Sequence, residues 1–168
     1  MLSILSPRGM ATCSLIIVLI LTGCAPSKYN IEARMADDSI PSFSVNGVVA
    51  VTTDQALRNR VFEDEYISVN YQQIAQSSAD TLRVALKQNS GTSTGGEHKS
   101  IQYTISSIDC LAFGACFINF VVKTGDGEVR GFMAEGEGLL LSRSLREAVE
   151  NTPMEVFSDK TILDYVAR

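Results

Sequence analysis

The chain has a single histidine, His98, so it cannot assemble a His-based metal site, and acid–base chemistry built on imidazole has only one residue to draw on. It has no cluster of Lys and Arg. With 14 basic and 19 acidic residues the net charge is −5, which disfavours nucleic acid and anionic headgroups as partners, because both select for clustered cations. No apolar run reaches the roughly 18–20 residues that a membrane-spanning helix needs. The four cysteines contain no C-x-x-C pair, and there is no G-x-G-x-x-G string, internal repeat or sustained heptad pattern. Dithiol exchange, dinucleotide binding and a coiled-coil tether all lose their usual sequence basis.

What the chain does have begins near its N-terminus. Leu15 to Cys24, LIIVLILTGC, is a short apolar run preceded by one basic residue, Arg8, and no acidic one. That is the pattern of an export signal. Its end, Leu21-Thr22-Gly23-Cys24, resembles a bacterial lipobox, which implies cleavage just before Cys24 and acylation of that residue. The resemblance implies three acyl chains, and several chains hold stably where one binds only marginally. We therefore expect a signal peptide over 1–23, a lipidated N-terminus and flexible tether over 24–41, and one domain over 42–168. The mature chain would keep 145 of the 168 residues, with 13 basic residues (14 less Arg8) against 19 acidic, net −6. Ala25 stands where an aspartate would, in enteric-type sorting, hold a lipoprotein in the inner membrane. The resemblance to sorted lipoproteins thus favours the outer membrane, facing the periplasm.

The domain reads as β, α, β, β, β, α. Phe43 to Thr53 is rich in β-branched residues and forms the first strand; Asn46-Gly47 inside it marks either a hairpin or a bend in an edge strand. The charged residues 54–66 read as a surface loop. Asn70 to Asn89 places Ile74, Ser78, Leu82, Ala85 and Leu86 on one helical stripe, with Gly91 as a left-handed cap. Ile101, Tyr103 and Ile105 alternate with polar residues, Phe117 to Lys123 and Val129 to Glu135 flank the tight turn at Thr124–Gly127, and a helix starts near Leu140. Pro153 lies inside that helix and predicts a kink or break. Asp159 caps a short final helix, Thr161 to Val166. One apolar face per element makes this a two-layer α+β domain, with a mainly antiparallel sheet of about four strands against two helices.

Few residues point to chemistry. Cys110 and Cys116 form an even pair in an oxidising compartment and predict a structural disulfide. Gly91 to Gly95 matches G-x-S-x-G with Ser93 at its centre and His98 nearby. However, a helix runs out into a strand there, the reverse of a nucleophile elbow. Glu135 and Glu137 straddle Gly136 and share a face, as paired carboxylates at a polar turn commonly do. We expect no catalytic residue, no metal and no cofactor.

The chain resembles the YajG-like family of small bacterial envelope lipoproteins. The likeness rests on Leu21 to Cys24, the segment Val51-Thr52-Thr53-Asp54-Gln55-Ala56-Leu57, the strand ending Glu135-Gly136-Glu137-Gly138, and the close Asp159-Lys160-Thr161-Ile162-Leu163-Asp164-Tyr165. The cysteine pair and the GTSTGG loop at 91–96 depart from that pattern. The resemblance implies location and fold, and no activity. The expected function is non-catalytic: a binding or assembly accessory of an envelope complex, tied to the membrane through Cys24. Its expected partner is another envelope protein, contacted through Asn46, Gly47, Ser93 and His98. A small periplasmic enzyme or a glycan-binding module is the alternative.

Overall fold

The computed structural model describes residues 27–28, 40, 42–54, 56, 59–63, 67–90, 97–111 and 114–168. In chain order the elements are β1 (Ser27–Lys28), β2 (Val48–Thr53), β3 (Val61–Glu63), β4 (Ile67–Asn70), α1 (Tyr71–Asn89), β5 (His98–Cys110), β6 (Ala115–Thr124), β7 (Val129–Glu137), α2 (Leu141–Ser158) and α3 (Lys160–Ala167). The main sheet has the order β2-β5-β6-β7. β5, β6 and β7 form an antiparallel meander, and β2 lies parallel to β5 with Val48 beside His98 and Thr53 beside Tyr103. A parallel pair needs a crossover, and α1 supplies it. The expected α+β class with a four-stranded, mainly antiparallel sheet is what the chain adopts.

The core lies between this sheet and the helices. Ile101, Tyr103 and Ile105 from β5 and Ile118, Phe120 and Val122 from β6 are buried against Ile74, Leu82, Leu145, Val149 and Val156. Tyr103 and Phe120 are in contact with ring centroids 4.8 Å apart, and Phe132 extends the row 5.5 Å from Phe120. The register of β5 against β6 shifts between Ile105 and Ser107. That bulge lets Ile105 and Ile108, three residues apart, both face inward, which strict alternation forbids. The Tyr103 hydroxyl sits at the centre of the core; burial pushes the phenol well above its ordinary value, and the neighbouring Ser78 and Thr152 hydroxyls pull it back only in part.

The helix limits follow from local chemistry. Asn70 caps α1, its side-chain oxygen accepting from Gln72 N–H at 2.7 Å, and Asp159 caps α3 by accepting from Thr161 and Ile162. The C-terminal boundary of α1 falls at Ser90, whose backbone is extended; Gly91 lies outside the described residues.

Two expectations need correction. The segment 54–66 is not simply a loop, because β3 lies within it. β3 pairs antiparallel with β4 and β1 pairs parallel on the other side of β4, which makes a small second sheet. Phe62 packs against the core from there, and a single half-buried aromatic among charged residues carries too little periodicity to announce a strand. Nor does Pro153 break the last long helix. α2 runs unbroken through it. Proline leaves the Val149 carbonyl without its usual donor, and the buried Thr81 hydroxyl on α1 lies 3.4 Å from that oxygen while bonding Ser78 O at 2.8 Å.

α2 rests directly on β7. A Cβ placed on Gly136 would come within 2.0 Å of Ser144 O and 2.3 Å of Ala148 N. Only glycine admits that approach of backbone to backbone. Gly136→Ala should therefore destabilise the fold by about 1–3 kcal/mol in denaturant titration, the usual cost of overpacking. A variant as stable as wild type would mean that α2 lifts from β7 at no cost.

Candidate functional site

The long strand β5 defines two poles, with His98 at its start and Cys110 at its end. At the first pole Gly47, with φ of 85°, turns the chain into β2, and the pairing of Val48 with His98 brings Asn46-Gly47 beside the start of β5. Three of the four residues singled out for partner binding, Asn46, Gly47 and His98, thus converge here. Ser93 lies outside the described residues, as does the rest of the G-x-S-x-G string.

Asn46 is not an open strand edge. Its N–H donates to Val166 O at 2.9 Å and its side-chain amide donates to Arg168 O at 2.7 Å. Both bonds tie it to the end of α3. Lys99 completes the cap from the buried side, its Nζ donating to Asn46 O at 3.0 Å and Val166 O at 3.1 Å. A cation on the last carbonyls of a helix satisfies orphan acceptors and suits the helix dipole. The Tyr165 hydroxyl then joins β5 to the β6–β7 turn. It accepts from Ser100 N–H and Gly125 N–H, both at 3.1 Å, and donates to Ser100 O at 3.2 Å. A side chain at Gly125 would meet that hydroxyl at 2.8 Å.

Around this frame is a cleft of about 370 Å³ whose rim carries Glu97, His98, Asp126 and Arg168. In the turn, the Thr124 hydroxyl donates to Asp126 at 2.5 Å and holds that carboxyl below its usual range; Arg168 adds a weaker pull from 4.0 Å. The inner polar groups of the cleft are committed to backbone, and mixed charge remains at the rim. Such a surface can hold a polar partner through several hydrogen bonds. Among the described residues, no group of three or more His, Cys, Asp or Glu side chains is placed to hold a metal.

The second pole is built on the cysteines. Cys110 and Cys116 stand directly opposite each other at the ends of β5 and β6, with Cα atoms 4.1 Å apart, and are joined by a disulfide. Gly114, with φ of 99°, lies in the enclosed turn. Its carbonyl accepts from Gly138 N–H and the Ser144 hydroxyl, both at 2.7 Å. The β5–β6 turn, the β7–α2 turn and the first turn of α2 thus form one knot, which the spacing of the cysteines alone does not reveal. Glu135 and Glu137 do share a face, on the exposed side of β7 away from the helices.

No family model matches the chain, and no curated protein matches it in sequence. Its fold has relatives among solved structures. A Xanthomonas campestris protein described as DUF330 superimposes with a TM-score of 0.50 at 12% identity, over 83% of this chain and 95% of that one. An uncharacterised protein matches with a TM-score of 0.41 at 13% identity, over 77% of this chain and 97% of that one. A PelC variant, a dodecamer from Paraburkholderia phytofirmans, matches with a TM-score of 0.34 at 13% identity, over 70% of this chain and 92% of its own. The chain shares the fold of the DUF330 protein. At this identity the likeness carries fold alone.

The disulfide generates a direct test. A non-reduced digest of the protein, isolated without reductant, should contain one peptide pair linked through Cys110 and Cys116. Replacing both by serine should lower stability by about 2 kcal/mol, the loop-entropy value for so short a ring. Two freely alkylated thiols, or a double variant of unchanged stability, would remove the bridge from the account.

Proposed function

We propose that the protein is a lipid-anchored, periplasm-facing lipoprotein related to the YajG-like group, and that it serves as a non-catalytic binding or assembly accessory of an envelope complex. The observation that carries this reading is the convergence of Asn46, Gly47 and His98 beside the cleft at one pole. That pole lies at the far end of β5 from the small sheet in which Ser27, three residues after Cys24, is paired. A domain tethered to a membrane at one end and presenting a polar recognition surface at the other has the geometry a binding module requires. The tether also raises the effective concentration of the domain at any partner on the same surface.

No helix among the described residues is long and apolar enough to cross a membrane, so on this reading attachment rests on Cys24. Cys24→Ala should move the protein from the membrane pellet to the soluble fraction; retention after a salt wash would sink the lipid reading. The partner surface is tested by in-cell crosslinking from positions 46 and 98, followed by mass spectrometry. A reproducible envelope protein at both positions supports the proposal. An empty result at both, with turnover of a small substrate by the purified protein, would favour the enzyme alternative.

A further inference from the structure

Three leucines crowd the disulfide pole. Leu111 follows Cys110 directly and is 58% exposed, while Leu139 and Leu140, in the turn between β7 and α2, are 98% and 67% exposed. The two turns that carry them are bonded together through the Gly114 carbonyl and Gly138 N–H. The leucines therefore stand together at one end of the sheet. A single exposed leucine needs no explanation, but three large apolar side chains clustered on bonded turns mark a docking surface.

The position of β1 identifies what that tip would meet. β1 pairs with the start of β4, Ser27 beside Ile67. β4 leads directly into α1, and its first residue, Tyr71, accepts at its hydroxyl from Ile108 N–H at 3.3 Å. Arg60, just before β3, reaches Ser106 O at 3.4 Å. The small sheet is thus fastened to the last third of β5, next to Cys110. Cys24 is three residues before Ser27, and three residues of extended chain span at most about 10 Å. Position 24 is therefore within about 10 Å of chain from a strand fastened to the pole that carries the leucines.

We propose that Leu111, Leu139 and Leu140 insert into the surface of the bilayer that holds the acyl chains of Cys24, so that the domain stands on the membrane tip-down with its polar cleft pointing away. This rests on the anchoring reading above. Glu137, Arg143 and Glu147 line the surface beside Leu139, and Asp109 precedes Cys110; three acidic groups against one cation leave no net attraction to anionic headgroups, and apolar insertion into a zwitterionic surface drives the contact. The lipids fix the domain to the plane of the membrane, and the leucines fix its orientation.

The chain contains no tryptophan, so one introduced residue reports alone. The full chain, purified from the envelope, is reconstituted into phosphatidylcholine vesicles carrying brominated acyl chains, with tryptophan placed either at the tip (Leu139→Trp) or on α1 at the opposite pole (Lys87→Trp). Both positions are exposed, so neither change disturbs the core. Insertion to the headgroup–acyl boundary should quench the tip reporter about twofold or more and leave the distal reporter bright. If the protein floats with the vesicles and the tip reporter stays as bright as the distal one, docking is overturned and the lipid anchor stands. Equal quenching at both positions overturns the tip-down orientation. A chain that does not float overturns the anchor, and the docking with it.

Discussion

The contact on which the rest of the architecture depends is the approach of the α2 backbone to Gly136. Helices usually stand off a sheet by the depth of their side chains; here the helix touches the strand itself near its N-terminal end. That contact sets the angle at which α2 crosses the sheet, and with it the position of Leu145, Val149 and Val156 over Phe120 and Val122. It also brings Ser144 within reach of Gly114, so a side chain in the first turn of the helix locks the neighbouring hairpin. A single missing Cβ thereby couples β5, β6, β7 and α2.

The opposite end is held by polar contacts instead. Lys99 and Tyr165 both spend their polar atoms on backbone, fastening the last helix to the start of β5 and to the β6–β7 turn. Asn46 adds the incoming chain to the same joint. Buried polar groups of this kind specify one arrangement, because each has lost water and must find its partner. The two ends differ in how they are held: one by buried polar side chains bonded to backbone, the other by a disulfide and the close approach of a helix to glycine.

Much of the fold was legible because its elements have strong periods. Ile74 to Leu86 mark α1 at helical spacing, Ile101 to Ile105 mark β5 at spacing two, and the Asp126-Gly127 pair marks the tight turn, in which Gly127 alone, at φ of 98°, takes the positive φ expected of both. Three features escaped. β3 and β4 are short, and their pairing is tertiary information that no local window contains. The passage of α2 through Pro153 depends on Thr81, a residue far away in sequence whose hydroxyl stands beside the stranded carbonyl. The bulge at Ser106 shifts the inward face mid-strand, so alternation read from Ile101 mis-assigns Ile108. The candidate site was legible only in outline. Asn46-Gly47 drew notice as a turn pair and His98 as a lone imidazole, but Lys99 and Tyr165, which build the frame between them, look in sequence like one surface lysine and one helical aromatic.

The parallel pairing of β2 with β5 has a consequence for how this chain comes together. β5, β6 and β7 meet across short turns and close with little loss of chain entropy, whereas β2 finds its neighbour only after the whole stretch from Asp54 to Glu97 has been looped. The part of the sheet that leaves the ribosome last is the part best able to nucleate, and the strand made first has the most non-local pairing to complete. Until β2 docks, the outer edge of β5 offers a free row of donors and acceptors to any passing strand. In a chain built this way the order of synthesis and the order of sheet assembly run opposite to each other, and the first strand waits for the last.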